Sequence, residues 1–560
     1  MRISKLTLKN GNLPLLEVDL RNITILVGPN NSGKSQAIRE IDDSFAAPGQ
    51  PTTVGNRKIL AGLEFELPNS YEDVIKLIEL FKSEPPKNLA KTADQIYFSI
   101  VESNQSPAQP ISGFITLKQI SEQINTKPKK ILNLLKSKGI LRGCCARLDS
   151  QSRFNITSDK PRGDILQPPR NLFAYLFQNE EVEKELRKII HYEFSRYLYL
   201  DPTKGDFLRV VMSLAENPNP KSLKKKEAEF FRNADLLANL GDGIKAFTGL
   251  LLAVINPQYQ VVLIDDPEAF LHPPKALSLG RHLATFMKDR NGSLVVSTHS
   301  AEFLMGCLET TSELTIIRLT FDGITGTARQ LKSEDLIALS HDPLLRSTNV
   351  MDALFHSSAI VVEGDADRVF YSEINRKLVL EEKGIMDVLF IKAIGKDTVH
   401  RIVALLRKIG IPTACIYDLD VIRKESHEYL WNNILQSANI PTEQHAFLEA
   451  ERKFCDNAIL KRKGEPDPKK TIGIEALSGT DKERAENLLN TVKKYGVFIV
   501  PVGEVECWLN YLYKADKRDW IENILDKLNE PSVMPTDKDV WKFINDINDW
   551  MEDTKRLGCP

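Results

Sequence analysis

The sequence predicts an α/β protein whose strands are mostly parallel, arranged in two successive sets and followed by a helical tail. Three observations carry that prediction. β-Branched apolar runs (Ile23 to Val27, Val261 to Ile264, Leu294 to Ser297, Ala359 to Val362, Thr413 to Tyr417 and Val497 to Val500) are separated by segments of helical periodicity. Each run ends in a polar or glycine-rich turn, and open parallel sheets bind ligands at the carboxyl ends of their strands. The 560 residues amount to about three to four domains at roughly 150 residues each.

With 42% hydrophobic and 27% charged residues the chain can bury a substantial core, which excludes wholesale disorder. The 74 Lys and Arg nearly cancel the 76 Asp and Glu, so a nucleic-acid partner must be held by a local basic surface. Seven cysteines without a C-x-x-C pair form neither a disulfide framework nor a zinc ribbon, and a reducing cytoplasm is the expected location. Met1 to Leu20 alternates charged and apolar residues, unlike a secretion signal. The longest apolar run, Leu250 to Ile255, falls far short of a bilayer span, so no membrane partner is expected.

The first strand, Ile23 to Val27, runs into Gly28-Pro29-Asn30-Asn31-Ser32-Gly33-Lys34-Ser35 and then a helical stretch. This is G-x-x-x-x-G-K-S in a strand–turn–helix context. Gly28 and Gly33 let the backbone curl, so that the loop through Asn30 and Asn31 turns its N–H groups toward phosphate oxygens. Lys34 is expected at the β- and γ-phosphates of ATP and Ser35 on Mg²⁺. The strand Val261 to Ile264 delivers Asp265, a second metal acid, at its carboxyl end, followed by Asp266, Pro267 and Glu268. The strand after it ends in Ser297-Thr298-His299-Ser300, with His299 placed for the γ-phosphate.

These elements resemble the ATP-binding-cassette (ABC) ATPases of the chromosome-maintenance (SMC) and RecF type. The opening Ile3 to Asn10, Asp266-Pro267-Glu268 and Leu271-His272-Pro273 share in the likeness. Leu240-Gly241-Asp242-Gly243-Ile244-Lys245 then takes the place of the family's signature, which docks on ATP held by a second subunit. The resemblance therefore implies at least a dimer, with Gly241 and Gly243 at the nucleotide. Gly241 replaces the family's Ser, and Asp266 stands where a catalytic Glu is usual, so slow turnover is expected. Glu268 is either a substitute base or a surface contact.

The strand Ala359 to Val362 ends in Glu363-Gly364-Asp365-Ala366-Asp367, and the strand Ala414 to Tyr417 ends in Asp418-Leu419-Asp420. Alternate residues of an extended segment face one way, so Asp418 and Asp420 can point at one site. If the strands are neighbours, Glu363, Asp367, Asp418 and Asp420 converge, and their mutual repulsion calls for Mg²⁺ or Mn²⁺. Glu504 and Glu506, after the last strand, are further acids. The E-G and D-x-D pair resembles the Toprim domain of topoisomerases, primases and certain nucleases.

A cassette-type ATPase followed by a Toprim domain resembles the overcoming-lysogenization-defect (OLD) nuclease family, to which the Gabija nuclease subunit and some retron-associated effectors are similar. The resemblance covers an ATPase domain over 1–340 and a Toprim domain over 357–513; between them 341–356, with Pro343, reads as a linker, and 514–560, with Trp520, Ile521, Ile524 and Leu525 at helical spacing and a break near Pro531, reads as a helical tail. The resemblance implies a metal-dependent DNA endonuclease, regulated by ATP and active in anti-phage defence, with a partner protein or retron RNA/DNA as a further association. Glu363, Asp367, Asp418 and Asp420 become metal ligands. Lys396, Lys469 and Lys470 are the candidates for a lysine near the cleaved phosphate. The rival expectation is a regulatory ATPase of the SMC or RecF kind with a degenerate Toprim domain. A primase or topoisomerase fits less well, for want of a zinc ribbon and of an assignable tyrosine nucleophile.

Between the loop and the signature lies an inserted basic helical unit, about 112–235. From Thr116 to Arg142 it carries seven Lys or Arg and one Glu, a surplus of six positive charges. A helix from Thr116 to Ile124, a turn at Asn125 to Pro128 and a second helix ending at Gly139 resemble a winged-helix DNA reader, with Lys127, Lys129 and Lys130 at the recognition helix. A helical arm for dimer contacts is the equal alternative.

Overall fold

The computed structural model describes residues 1–559 apart from 47–55, 86–91, 101–110, 125–127, 167–168, 289, 322, 343–347, 423, 461–472 and 514–516. The chain forms two compact units, Met1–Glu334 and Asp335–Pro560.

The first unit is built on a six-stranded sheet. In spatial order its strands are Gly326–Leu331, Leu314–Phe321, Ile23–Val27, Ser293–Ser297, Val261–Asp265 and Cys145–Leu148. All pairings are parallel except the hairpin Leu314–Phe321 with Gly326–Leu331. Every residue of Ile23–Val27 and of Ser293–Ser297 is buried, as near-continuous apolar runs in a covered parallel sheet must be. The helices Lys34–Asp43, Asp242–Ile255, Pro273–Lys288 and Ala301–Thr310 belong to the same unit. Because the register pairs Leu294 with Ile23 and with Val262, the carboxyl ends of the three central strands are level. Gly28, Asp265 and Thr298 therefore emerge side by side.

A three-stranded antiparallel sheet, Leu16–Asp19, Arg2–Leu8 and Leu60–Glu66, shares one apolar core with the helix Lys34–Asp43. Ile120, Ile131 and Leu135 of the expected insertion are buried in that core, beside the hairpin Gln95–Ile100 with Ile111–Thr116. The first helices of the segment 112–235 thus pack into the core of the first unit. Cys145–Leu148 completes the main sheet, and Tyr197–Lys204 and Phe207–Ser213 pair in a second antiparallel sheet. The four residues of Cys145–Leu148 include Arg147, too short and too polar a run to read as a strand by periodicity.

The second unit holds a four-stranded, wholly parallel sheet in the order Val388–Lys392, Ser358–Val362, Thr413–Tyr417, Val497–Ile499. The segment read as a helical tail is part of its core. Trp520 and Ile524 of the helix Lys517–Leu528, and Trp541, Ile544 and Ile547 of the helix Asp539–Glu552, pack in one cluster with Ile360, Ala414 and Phe498. The apolar stripe on those helices exists because it covers the sheet. The segment read as a linker is also ordered where it is described: Val350–Phe355 forms a 3₁₀ turn with Val350, Met351, Ala353 and Leu354 buried. Among the described residues no helix is long and apolar enough to cross a membrane.

Candidate functional site

The glycine loop of the first unit has the backbone that phosphate binding requires. Gly28, Asn31 and Gly33 all take positive φ, at 144°, 61° and 92°. A Cβ on Gly28 would lie 2.0 Å from the Leu319 carbonyl oxygen, so only glycine fits there. Asn30 and Asn31 are exposed and Lys34 is buried. Lys34 Nζ donates to the carbonyls of Gly28 and Pro29, both at 2.7 Å, and to Ser32 Oγ at 3.3 Å. Burial lowers its pKa to about 8, against the opposing pull of Asp266, Asp265 and Glu268.

Ser35 Oγ donates to Asp265 Oδ1 at 3.0 Å, and Ser297 Oγ donates to the same oxygen. The two residues expected to share a metal are thus already joined across neighbouring elements. Asp266 sits in the left-handed region at φ 49°. Its pKa is raised, first by burial and then by Asp265. Glu268 accepts from Thr298 Oγ1 at 2.9 Å and from the His299 backbone N–H at 2.6 Å, so both carboxylate oxygens are engaged and the residue braces one strand end against the next. This is no surface contact, and burial raises the Glu268 pKa. His299 Nε2 lies 3.9 Å from Asp266 Oδ1, and its pKa is lowered by burial and then by Lys34.

Gly241 caps the helix Asp242–Ile255, and Gly241 and Asp242 are exposed. Gly243 is packed so that a Cβ would meet the Phe270 carbonyl at 2.9 Å. Periodicity misses the loop after Cys145–Leu148. That strand is the parallel neighbour of Val261–Asp265, so Asp149 arrives beside Asp265 and Arg153 follows within reach of it. Arg153 Nη2 donates to the carbonyls of Asp265 at 2.7 Å and Asp266 at 3.0 Å. A polar cluster directly after a short run was the available signal.

In the second unit Glu363 follows the fully buried strand Ser358–Val362, and Asp418 follows the fully buried neighbour Thr413–Tyr417. Glu363 Oε1 accepts from the Asp418 backbone N–H at 3.0 Å. The Glu363 carboxyl is pushed up to about 7, by burial first and further by Asp420 and Asp367. Asp418 is raised well above the usual carboxylate range by burial, then by Glu363, Asp367, Glu504 and Asp420. Asp367 Oδ2 accepts from the Gly364 N–H at 2.9 Å and so caps the helix Asp365–Leu380. Glu504 reaches the group because Leu419 N–H donates to the Gly503 carbonyl at 2.8 Å.

Lys396, at the start of the helix Lys396–Lys408, donates to Asp420 Oδ2 at 2.7 Å. Asp420 Oδ1 is buried without a hydrogen-bond partner. Lys127, Lys469 and Lys470 lie outside the described residues. Among the described residues no group of three or more Asp, Glu, His or Cys side chains is placed so that it could hold a metal ion as it stands. The donor set nonetheless suits a hard divalent cation: two acids, Glu363 and Asp418, whose pKa is raised by burial and then by neighbouring acids, and an orphaned buried carboxylate oxygen on Asp420.

Fold and sites together define a P-loop ATPase unit followed by a Toprim unit. The family described as "AAA domain, putative AbiEii toxin, Type IV TA system" matches residues 23–305, which is 283 of the 560. The family described as "Overcoming lysogenization defect protein-like, TOPRIM domain" matches residues 354–420. The chain belongs to the OLD family of ATPase–Toprim proteins. It is 26% identical to the Old nuclease of Escherichia phage P2 over 205 residues, 36% of this chain and 31% of that protein. It is 23% identical to the OLD nuclease of Thermus scotoductus over 461 residues, 75% of this chain and 82% of that protein. Among solved structures, an SMC head bound to the C-terminal winged-helix domain of ScpA is similar at TM-score 0.34 and 14% identity, over 60% of this chain and all of that one. The SMC head domain from Thermotoga maritima is similar at TM-score 0.29 and 16% identity, over 59% of this chain and 99% of that one.

Proposed function

We propose that the protein is an ATP-regulated, metal-dependent DNA endonuclease that acts in bacterial defence against phage. The observation that carries the reading is the pairing of Glu363 with Asp418 at two adjacent strand ends, with the pKa of both raised by burial and by neighbouring acids, Asp420 among them. Glu363, Asp418 and Asp420, with Glu504 and Asp367 close by, would hold Mg²⁺ or Mn²⁺. Such an ion activates water and neutralises charge on the departing oxygen of a phosphodiester. Glu363 orients the Asp418 backbone, Asp367 fixes the helix behind it, and Lys396 sets the position of Asp420. The family name of both relatives, Old nuclease and OLD nuclease, agrees with cleavage.

In the first unit the loop Gly28 to Ser35 binds ATP, and Asp265 and Ser35 would hold its Mg²⁺. Asp266 is the candidate base, since Glu268 is committed to its brace. Gly241 and Gly243 present the helix Asp242–Ile255 to nucleotide on a second copy, which makes the working form at least a dimer. Exposed Lys130 and its neighbours Lys127 and Lys129 form the candidate DNA contact. The protein works in the cytoplasm, and a partner protein or retron RNA/DNA is a candidate activator.

One observation favours a second reading, a regulatory ATPase that does not cut: Lys396 already neutralises Asp420. Incubating plasmid DNA with the purified protein and Mg²⁺ or Mn²⁺, with and without EDTA, separates the two. Metal-dependent nicking supports the nuclease. Intact plasmid under every condition, with ATP bound, supports the regulator.

A further inference from the structure

Arg153 is fully buried, yet its guanidinium is paired with main-chain carbonyls. Nη2 donates to the carbonyls of two consecutive residues, Asp265 and Asp266, and Nε to the carbonyl of Asp149 at 2.9 Å. Nη1 is buried without a hydrogen-bond partner. Burying a cation this way is costly, and an apolar side chain of like size would pack there at lower cost. What an apolar side chain lacks is a planar fork that holds two successive carbonyls. The residue so held is the strained one. Asp266 has φ 49°, a conformation unfavourable for a residue with a side chain, and its N–H donates to the Ser297 carbonyl at 3.0 Å. Its backbone is pinned on both sides, with Arg153 supplying one of them.

The short helix that carries Arg153, Ser152–Asn155, is in backbone contact with the helix Asp242–Ile255. A Cβ on Gly249 would lie 2.3 Å from the Arg153 carbonyl oxygen. One residue on, the Phe154 ring packs on Phe270 at 5.5 Å and lies under Lys245 Nζ at 5.3 Å. Two successive residues of this turn therefore touch the helix whose first residues are the signature segment.

We propose that Arg153 is a positioning residue of the ATP site, which sets the backbone of Asp266 and ties it to the helix that begins at Gly241. A displacement of that helix moves the Arg153 main chain, and the fork carries the movement to the candidate base. The proposal rests on the ATPase reading above.

The test uses the full-length protein with Arg153→Lys, Arg153→Met and Gly249→Ala. ATP turnover (kcat and KM), binding of a fluorescent ATP analogue and thermal unfolding are measured for each. Arg153→Met is expected to lower kcat by about tenfold to a hundredfold, as a small displacement of a reacting group does. KM and analogue affinity should stay near parental, because the loop Gly28 to Ser35 is untouched. Arg153→Lys should restore part of kcat. Gly249→Ala should lower kcat in the same way with the guanidinium intact, and it carries the test together with Arg153→Lys if Arg153→Met does not fold. Parental kcat in folded Arg153 variants, or KM and affinity worsening in step with kcat, overturns the proposal alone. A parent protein that binds ATP without any turnover overturns the hydrolytic reading and the proposal with it.

Discussion

The Asp418 backbone N–H donates to Glu363 Oε1 at 3.0 Å, so two acids 55 positions apart in sequence are joined by one hydrogen bond at adjacent strand ends. The bond explains how a buried carboxyl group is tolerated. It favours the ionised form of Glu363, but burial and the nearby Asp420 and Asp367 outweigh it, and the pKa stands at about 7 against an ordinary 4.5. Between those two values the folded protein keeps a proton that the unfolded chain has lost. The contribution of Glu363 to stability is therefore most favourable below 4.5 and is lost as the pH rises through 7. Glu363→Gln should then be the more stable protein at roughly pH 8 in EDTA, by at most about 3 kcal/mol, as read by denaturant titration. No gain would mean that the fold does not raise the pKa of Glu363 and that its ionisation costs the metal-free protein nothing.

Cleavage should disappear in Glu363→Gln and in Asp418→Asn while ATP binding persists, because each change removes a ligand oxygen's charge and leaves the loop Gly28 to Ser35 as it was. EDTA should reproduce the loss in the parent. A gel assay on supercoiled plasmid reads it. Undiminished cutting by the double variant would assign the activity to another site or to a contaminant.

Lys34→Met should weaken ATP binding by about 1.5–3 kcal/mol, the worth of hydrogen bonds to a charged group, or about tenfold to a hundredfold in Kd. The carbonyls of Gly28 and Pro29 that the ammonium now caps would also lose their donor. Equal affinity of parent and variant, by calorimetry, would remove Lys34 from the nucleotide site.

Both sites were legible because each depends on residues next to one another in sequence at the end of an apolar run. Gly28 to Ser35, Asp265 and the Glu363 and Asp418 strand ends needed only that local pattern. Illegible were the features fixed by the fold alone. Arg153 reaches Asp265 through the parallel pairing of Cys145–Leu148, a strand too short to announce itself. Glu268 reads as exposed until the neighbouring strand brings Thr298 and His299 to it. The last two helices read as a tail since a Pro-containing break precedes the second one, yet Trp520 and Trp541 are among the most buried side chains of the second unit.

Replacing Lys127, Lys129 and Lys130 with Ala should weaken DNA binding and flatten its dependence on salt, because fewer counterions are released per complex. The slope of log affinity against log salt should change by about 0.9 for each phosphate that the variant leaves unneutralised. Fluorescence anisotropy across a salt series measures it. An unchanged slope would favour the dimer arm, whose loss sedimentation would detect.

Lys396 offers the sharpest distinction between a working metal centre and a self-neutralised one. Its ammonium is hydrogen-bonded to Asp420 Oδ2 at 2.7 Å, while Oδ1 of the same carboxylate is buried without a hydrogen-bond partner. Lys396→Met removes a positive charge from a group of acids that already repel one another. The metal-free variant should be less stable than the parent at roughly pH 8 and should recover as the pH falls and the acids take up protons. A divalent cation replaces the missing charge more completely than in the parent, where it must compete with the ammonium. The rise in melting temperature on adding Mg²⁺ or Mn²⁺ should accordingly be larger in Lys396→Met than in the parent. Equal rises would show that Lys396 and the metal do not share Asp420, and the absence of any rise in either protein would leave the second unit as a regulatory fold without a nuclease centre.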